Sequence, residues 1–252
     1  VSILPGMAQT EKLTDYVNPF VGTDGYGNVY PGAQIPFGGI QISPDTDSRF
    51  YDAASGYKYN HLTLMGFSLT HLSGTGIPDL GDFLFIPGTG EMKLEPGTHE
   101  DPDQGYCSRY SHDKEWASPN YYAVELADYG VKAEMTSGVR SGMFRFTYPE
   151  SDNAFIMIDM NHTLWQSCEW SNLRMINDST ITGYKLVKGW GPERHVYFTA
   201  TFSKKLTGLR FVQDKKPVIY NTSRFRSSYE AWGKNLMACI SFDTKAGEEV
   251  TV

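Results

Sequence analysis

An all-β fold, two antiparallel sheets packed face to face in a single domain, follows from three features of this sequence. Apolar and polar residues alternate over short segments with no sustained helical spacing, aromatic residues make up 14% of the chain, and glycine and proline punctuate it throughout. With 252 residues and 40% hydrophobic content, the chain can bury a full core as one unit. A formal net charge of -7 offers no basic surface to a phosphate backbone, which argues against nucleic acid as a partner. No apolar run reaches the roughly 18 residues that a membrane span requires.

Val1 to Gln9 reads as the tail of a signal peptide, with an apolar stub, a Pro5-Gly6 break and small residues at Gly6 and Ala8. Residues 1–12 are therefore expected to precede the domain and residues 13–252 to form it, in a protein that is secreted or periplasmic. From Leu13 to Asn120 turn formers dominate, among them Gly22, Gly25, Gly27, Gly32, Gly74, Gly76 and Gly81, with Pro19, Pro31, Pro36 and Pro78 between them. Such punctuation predicts long, specifically shaped loops around short strands, and loops of that kind carry sites.

Beyond Asn120 the pattern becomes regular. Tyr122, Val124 and Leu126 face one way, Asp128-Tyr129-Gly130 turns the chain, and Val131, Ala133 and Met135 return inward, which predicts an antiparallel hairpin. Phe144, Phe146 and Tyr148 continue the alternation, and the apolar run from Phe155 to Met160 suits a central strand. Further strands are predicted over Ile181–Val187, His195–Phe202, Leu209–Gln213, Val218–Asn221, Met237–Phe242 and Glu249–Val252. The last stops with nothing to close it, which reads as a chain cut at a domain boundary. Cys107, Cys168 and Cys239 lack metal-ligand spacing and are odd in number, so they read as buried free thiols. Trp165, Trp170, Trp190 and Trp232 read as core aromatics.

Three stretches are more particular than generic turns. The first runs Asn18-Pro19-Phe20-Val21-Gly22-Thr23-Asp24-Gly25, then Asn28-Val29-Tyr30-Pro31-Gly32-Ala33 and Pro36-Phe37-Gly38. The second is Gly66-Phe67-Ser68-Leu69-Thr70-His71-Leu72-Ser73-Gly74-Thr75-Gly76, running on into Asp79-Leu80-Gly81-Asp82. The third is Ser111-His112-Asp113-Lys114-Glu115-Trp116-Ala117-Ser118-Pro119-Asn120-Tyr121-Tyr122. In order and spacing they resemble the N-terminal domain of glycoside hydrolase family 92, over about Asp15 to Val252.

The resemblance implies a β-sandwich of the galactose-mutarotase-like supersandwich kind, packed against a C-terminal catalytic α/α toroid that this chain lacks, with the active site between them. It further implies a calcium-dependent, inverting exo-α-mannosidase acting on mannose-containing glycans, α-1,2 linkages foremost. The catalytic carboxylates and most of the calcium shell would belong to the helical domain, so no catalytic residue and no metal ligand is nominated here, and this chain alone is expected to be inactive.

The substrate contacts expected are Phe20, Gly22, Thr23, Asp24 and Gly25, where an aromatic edge, exposed backbone and a hydroxyl match the two faces of a pyranose; Tyr51 and Asp52, where some members carry Trp-Asp; and His71, Ser73 and Thr75. His71 also reads as an orienting hydrogen-bond partner, and Asp79 and Asp82 read as structural caps. Asp113 and Glu115 read as anchors of the Pro119-Asn120 turn. Asn120 stands where the family has glycine, as the next best residue for a left-handed backbone. Asn28 and Leu69 replace the family's usual histidines. Two other readings stay open: a non-catalytic carbohydrate-binding sandwich, and a mutarotase-like enzyme needing a His and carboxylate pair on a concave sheet face.

Overall fold

A computed structural model describes residues 12–47, 53–98, 100–218 and 230–252. Its loop-rich first part holds only short strands: β1 (Ala33–Gln34), β2 (Gln41–Asp45), β3 (Thr63–Leu64), β4 (Gly66–Ser68), β5 (Leu84–Thr89), β6 (Ser108–Arg109) and β7 (Glu115–Ser118). Longer strands follow: β8 (Tyr121–Leu126), β9 (Val131–Ser137), β10 (Gly142–Tyr148), β11 (Ser151–Asp159), β12 (Ser167–Asn177), β13 (Thr180–Lys188) and β14 (Arg194–Thr201). The described chain closes with β15 (Gly208–Gln213), β16 (Lys216–Pro217), β17 (Glu230–Gly233), β18 (Leu236–Thr244) and β19 (Glu248–Thr251).

Two layers emerge. One is an eight-stranded sheet in the order β1-β2-β4-β5-β11-β18-β15-β16, with the apolar strand β11 in its interior as its composition predicts. The other is a five-stranded sheet, β19-β10-β9-β8-β7, beside a four-stranded sheet, β14-β13-β12-β17. These two meet where Ser203, just past β14, donates its backbone N–H to Thr251 of β19 at 2.9 Å and accepts from Thr251 N–H at its hydroxyl.

Alternation explains why both smaller sheets cover the same face. Ala154, Ile156 and Ile158 of β11 share one core with Phe144 and Phe146 of β10 and with Leu173 and Ile181 of β12 and β13. Phe85 links the layers through ring contacts with Phe144 at 4.9 Å and Phe198 at 6.4 Å. Phe155 and Met157 point the opposite way into a smaller core with Tyr106, Cys107 and Cys239. The three cysteines are buried and free.

The predicted hairpin is β8–β9, with Tyr122 opposite Met135 and Gly130 turning the chain at φ +62. The predicted later strands match β13, β14, β15, β18 and β19; the Val218–Asn221 prediction falls almost wholly outside the described residues, after β16. Among the described strands after Asn120, the short β16 and β17 and the 11-residue β12 went unpredicted. β12 carries register shifts at Cys168/Trp170 and Met175/Asn177, and each bulge resets the two-residue period that reveals a strand. The tryptophans correct the expectation of core packing: Trp165, Trp170, Trp190 and Trp232 are 46–59% exposed. Their strand and turn positions point them away from the core.

Candidate functional site

The three motifs fold into one connected set of loops. In the first, Asn18 starts the turn by accepting the Phe20 N–H at Oδ1 (3.0 Å), and Thr23 donates its hydroxyl to the Phe20 carbonyl (2.8 Å). A Cβ at Gly27 would lie 2.2 Å from the Gly22 carbonyl oxygen, so this residue must be glycine for the loop to close on itself. Lys58 clamps the tip by donating Nζ to the Gly25 carbonyl (2.7 Å), and the Tyr59 N–H donates to Thr23 (2.9 Å). Thr23 is thereby buried, while Asp24, Gly25, Val21 and Tyr26 face solvent, Tyr26 at 92% exposure.

The second motif joins the first where the Gly74 N–H donates to the Asn28 carbonyl at 2.7 Å. Ser73 is exposed, and Thr75 closes its own turn through a hydroxyl bond to the Ile77 carbonyl (3.2 Å). The third motif joins through rings: Phe20 meets Tyr59 edge-on at 5.8 Å, and Tyr59 stacks on His112 at 3.9 Å with 3° between the planes. His112 also engages the Tyr59 carbonyl (2.7 Å) and Glu115 (2.6 Å). The result is a shelf of outward-facing backbone, aromatic and hydroxyl groups on a braced base.

Two buried charge clusters form the base. His71, 2% exposed, meets the Gln41 carbonyl at Nδ1 (2.7 Å) and Asp45 at Nε2 (2.8 Å), while His162 Nε2 meets the other Asp45 oxygen at 2.8 Å. Burial pushes the Asp45 carboxyl up, but the neighbouring charge and hydrogen bonds of His71 and His162 outweigh it and hold the group below the ordinary carboxylate range. His71 therefore takes the orienting role, beneath the shelf and out of contact with solvent.

In the second cluster, fully buried Asp82 faces Lys185 Nζ (3.1 Å) and Arg194 Nη1, and its Oδ2 accepts the Thr70 hydroxyl (2.7 Å). Burial again opposes ionisation, and Lys185 and Arg194 reverse it, so the Asp82 carboxyl is lowered. Asp79 caps the Leu80 and Trp190 N–H groups at 2.6 and 3.2 Å. Both acids of the Asp-Leu-Gly-Asp stretch are thus structural.

The third motif brings a correction. Glu115 does not anchor the Pro119-Asn120 turn; it is buried and accepts hydroxyls from Tyr57 (2.9 and 3.1 Å) and Tyr122 (2.5 Å). Burial, with Tyr110 and Glu115 beside it, drives the Tyr57 phenol far above its usual range. Asp113 is exposed. Asn120 anchors the turn itself, at φ +59, through bonds to Ser137 N–H (3.1 Å), hydroxyl (2.7 Å) and carbonyl (2.9 Å).

Of the contacts expected from sequence, Phe20, Gly22, Asp24, Gly25, Ser73 and Thr75 lie on the shelf, Thr23 and His71 lie beneath it, and Tyr51 and Asp52 fall outside the described residues. Sequence reasoning missed Tyr59, His112, His162 and Lys185, whose partners are far away along the chain. A separate cavity of about 930 Å³ opens beside Asp159, Asn161, Trp165 and Gln166 and includes none of the shelf residues. Among the described residues no group of three or more His, Cys, Asp or Glu is placed to hold a metal ion.

The described residues form a β-sandwich that carries a shelf of glycine-shaped loops at one end of its eight-stranded layer. The chain belongs to glycosyl hydrolase family 92: the model of the family's N-terminal domain matches residues 16–252. It is similar to the solved family 92 glycosyl hydrolase ccman5 (27% identity, TM-score 0.77, covering 94% of this chain and 32% of that one). It also shares its fold with the inverting mannosidase BT2199 of Bacteroides thetaiotaomicron VPI-5482 (24% identity, TM-score 0.76, covering 96% and 31%). An uncharacterized secreted glycosidase of Arthroderma benhamiae is 30% identical over 145 residues, 54% of this chain and 17% of that protein. The chain thus spans about a third or less of the proteins it matches, and no described helix is long and apolar enough to cross a membrane.

Proposed function

We propose that this chain supplies one wall of the substrate cleft in a secreted, calcium-dependent, inverting exo-α-mannosidase that removes terminal mannose, with α-1,2 linkages preferred. The observation that carries the reading is the shelf: three separate sequence motifs are locked together by the Gly74–Asn28 bond and the Phe20–Tyr59–His112 rings, and they present Asp24, Gly25, Tyr26 and Ser73 to solvent. That solved relatives include an inverting mannosidase supports the reaction class.

Inversion requires a general acid and a general base on opposite faces of the sugar, roughly 6.5 to 9.5 Å apart so that water fits between them. The carboxylates under the shelf are committed elsewhere, Asp45 to two histidines, Asp82 to Lys185 and Arg194, and Glu115 to two tyrosines. The proposal therefore assigns the acid, the base and the calcium shell to the remainder of a longer protein. This chain's part is to bind and orient the terminal sugar and to exclude bulk water from one side.

The test compares this 252-residue chain with the longer protein on α-1,2-mannobiose, with and without a calcium chelator. Turnover is expected only from the longer protein and only without chelator. Hydrolysis by this chain alone would overturn the division of labour, and binding without turnover by the longer protein would favour a non-catalytic carbohydrate-binding sandwich.

A further inference from the structure

The exposed tryptophans lead to a second surface. In the four-stranded sheet, Trp232 of β17 pairs with Asn172 of β12, Asn172 with Tyr184 of β13, and Tyr184 with Tyr197 of β14. Directly opposed residues project from the same side of a sheet, so these four form one transverse row. The alternate residues Ala231, Leu173 and Gly183 face the core side, which leaves the row on the outer face. Tyr197 is 70% and Trp232 54% exposed, and the row lines a groove of about 470 Å³ with Thr182 and Thr199.

The rings are arranged, not scattered. Tyr184 and Tyr197 lie 4.9 Å apart with 34° between their planes, and Tyr184 also stacks over His195 at 21° while its hydroxyl meets His195 Nδ1 at 3.0 Å. Strands about 4.8 Å apart place Trp232 roughly 10 Å from Tyr184 across Asn172. The groove is separate from the shelf: its walls come from β12, β13, β14 and β17, and no shelf residue lines it.

We propose that this row is a second carbohydrate-binding surface, a platform for a neutral polysaccharide chain. The C–H-bearing face of a pyranose carries partial positive charge and stacks on the electron-rich face of an aromatic ring, while its hydroxyl rim needs polar partners, which Thr182, Thr199 and the tyrosine hydroxyls provide. The groove lining contains no charged side chain, and the next register on the same face pairs Arg174 with Glu230, of opposite sign, so the surface is close to neutral and matches an uncharged glycan. Exposed aromatic rings gathered along one groove mark a binding site. The surface rests on the cleft reading only for the choice of mannan as first probe.

The test is retention of the 252-residue chain in native gels cast with soluble α-mannan, xylan, galactan or β-glucan. The wild type is expected to be retarded by at least one of them. The Trp232→Ala/Tyr197→Ala double variant should bind about tenfold more weakly and each single variant about threefold, with melting temperature unchanged; Val139→Ser, an exposed turn residue elsewhere, should bind as the wild type does. In the wild type, the glycan should also protect Trp232 and Tyr197 from hydroxyl-radical oxidation, a readout independent of any variant's folding. Equal retention of the double variant, no retention on any glycan, or protection of both rings in the longer protein without glycan would overturn the proposal. Mannobiose turnover by the longer protein carrying the double substitution would leave the cleft reading standing in each case.

Discussion

The two halves of this molecule are stabilised by different means. Before Asn120 the strands are two to six residues long, and the loops between them rest on buried polar groups: Asp45 with two histidines, Asp82 with Lys185 and Arg194, Glu115 with three partners. After Asn120, long ladders bury alternate apolar residues, and their polar residues sit mostly outside. Hydrophobic burial is non-directional and suits a repeating layer, whereas an irregular loop must satisfy each backbone group individually. Loop shape at the shelf is therefore set by charge and hydrogen bonding, and its sensitivity to pH should differ from that of the layers.

The sharpest comparison sets Asp82→Asn against Phe146→Ala. Removing the Asp82 charge strands fully buried Lys185 without its counter-ion and should cost about 3–5 kcal/mol; deleting the buried Phe146 ring should cost a similar amount, about 3–5 kcal/mol. The two part company with pH. Because the folded Asp82 carboxyl is lowered, its contribution is fully present above the ordinary value of 3.8 and is lost as pH falls below it, so in urea melts the Asp82→Asn deficit shrinks in acid while the Phe146→Ala deficit does not. Equal pH dependence would erase the distinction between the halves.

A smaller effect is expected from Gly56→Ala. Gly56 has φ +87, and a Cβ there would lie 2.1 Å from Asp45 Oδ1, inside the Asp45–His71–His162 cluster. A loss of about 2–3 kcal/mol is expected, together with altered histidine imidazole NMR shifts. Unchanged shifts would show that the shelf does not rest on that cluster.

Asn120→Gly relieves a left-handed backbone but removes three bonds to Ser137, and a net loss of about 1 kcal/mol by thermal melting is expected. A gain would mean that backbone relief prevails. The smallest effect belongs to Glu134→Gln on the outer side of β9. Bonds from Arg145 chiefly, with Tyr121, hold this carboxyl at about 2 against burial. Its contribution is present above the ordinary value of 4.5 and fades as pH falls toward 2; with Arg145 half exposed it should not exceed about 1 kcal/mol.

The same contrast explains what could be read from sequence. The layers were legible because β8–β10 alternate apolar and polar residues and β11 is a continuous apolar run, and the motif loops were legible because their glycines and prolines stand in a particular order. The polar base was not, because Asp45 meets His162 across 117 residues and Asp82 meets Arg194 across 112, separations that leave no local trace. Lys185 shares the inward parity of Ile181 and Val187, but its partner, Asp82, lies in a loop far away along the chain. The tryptophans were misassigned for a simpler reason: aromatic character does not say which side of a strand faces out, and in β12 the bulges hide the parity.

The 112-residue separation between Asp82 and Arg194 also bears on biogenesis. A nascent chain emerges from its N-terminus, so the motif loops are made well before the lysine and arginine that neutralise their buried acid. The Asp82 cluster beneath the shelf can form only after β13 and β14 have been synthesised, and until then its carboxylate lacks the Lys185 and Arg194 counter-ions that make burial tolerable.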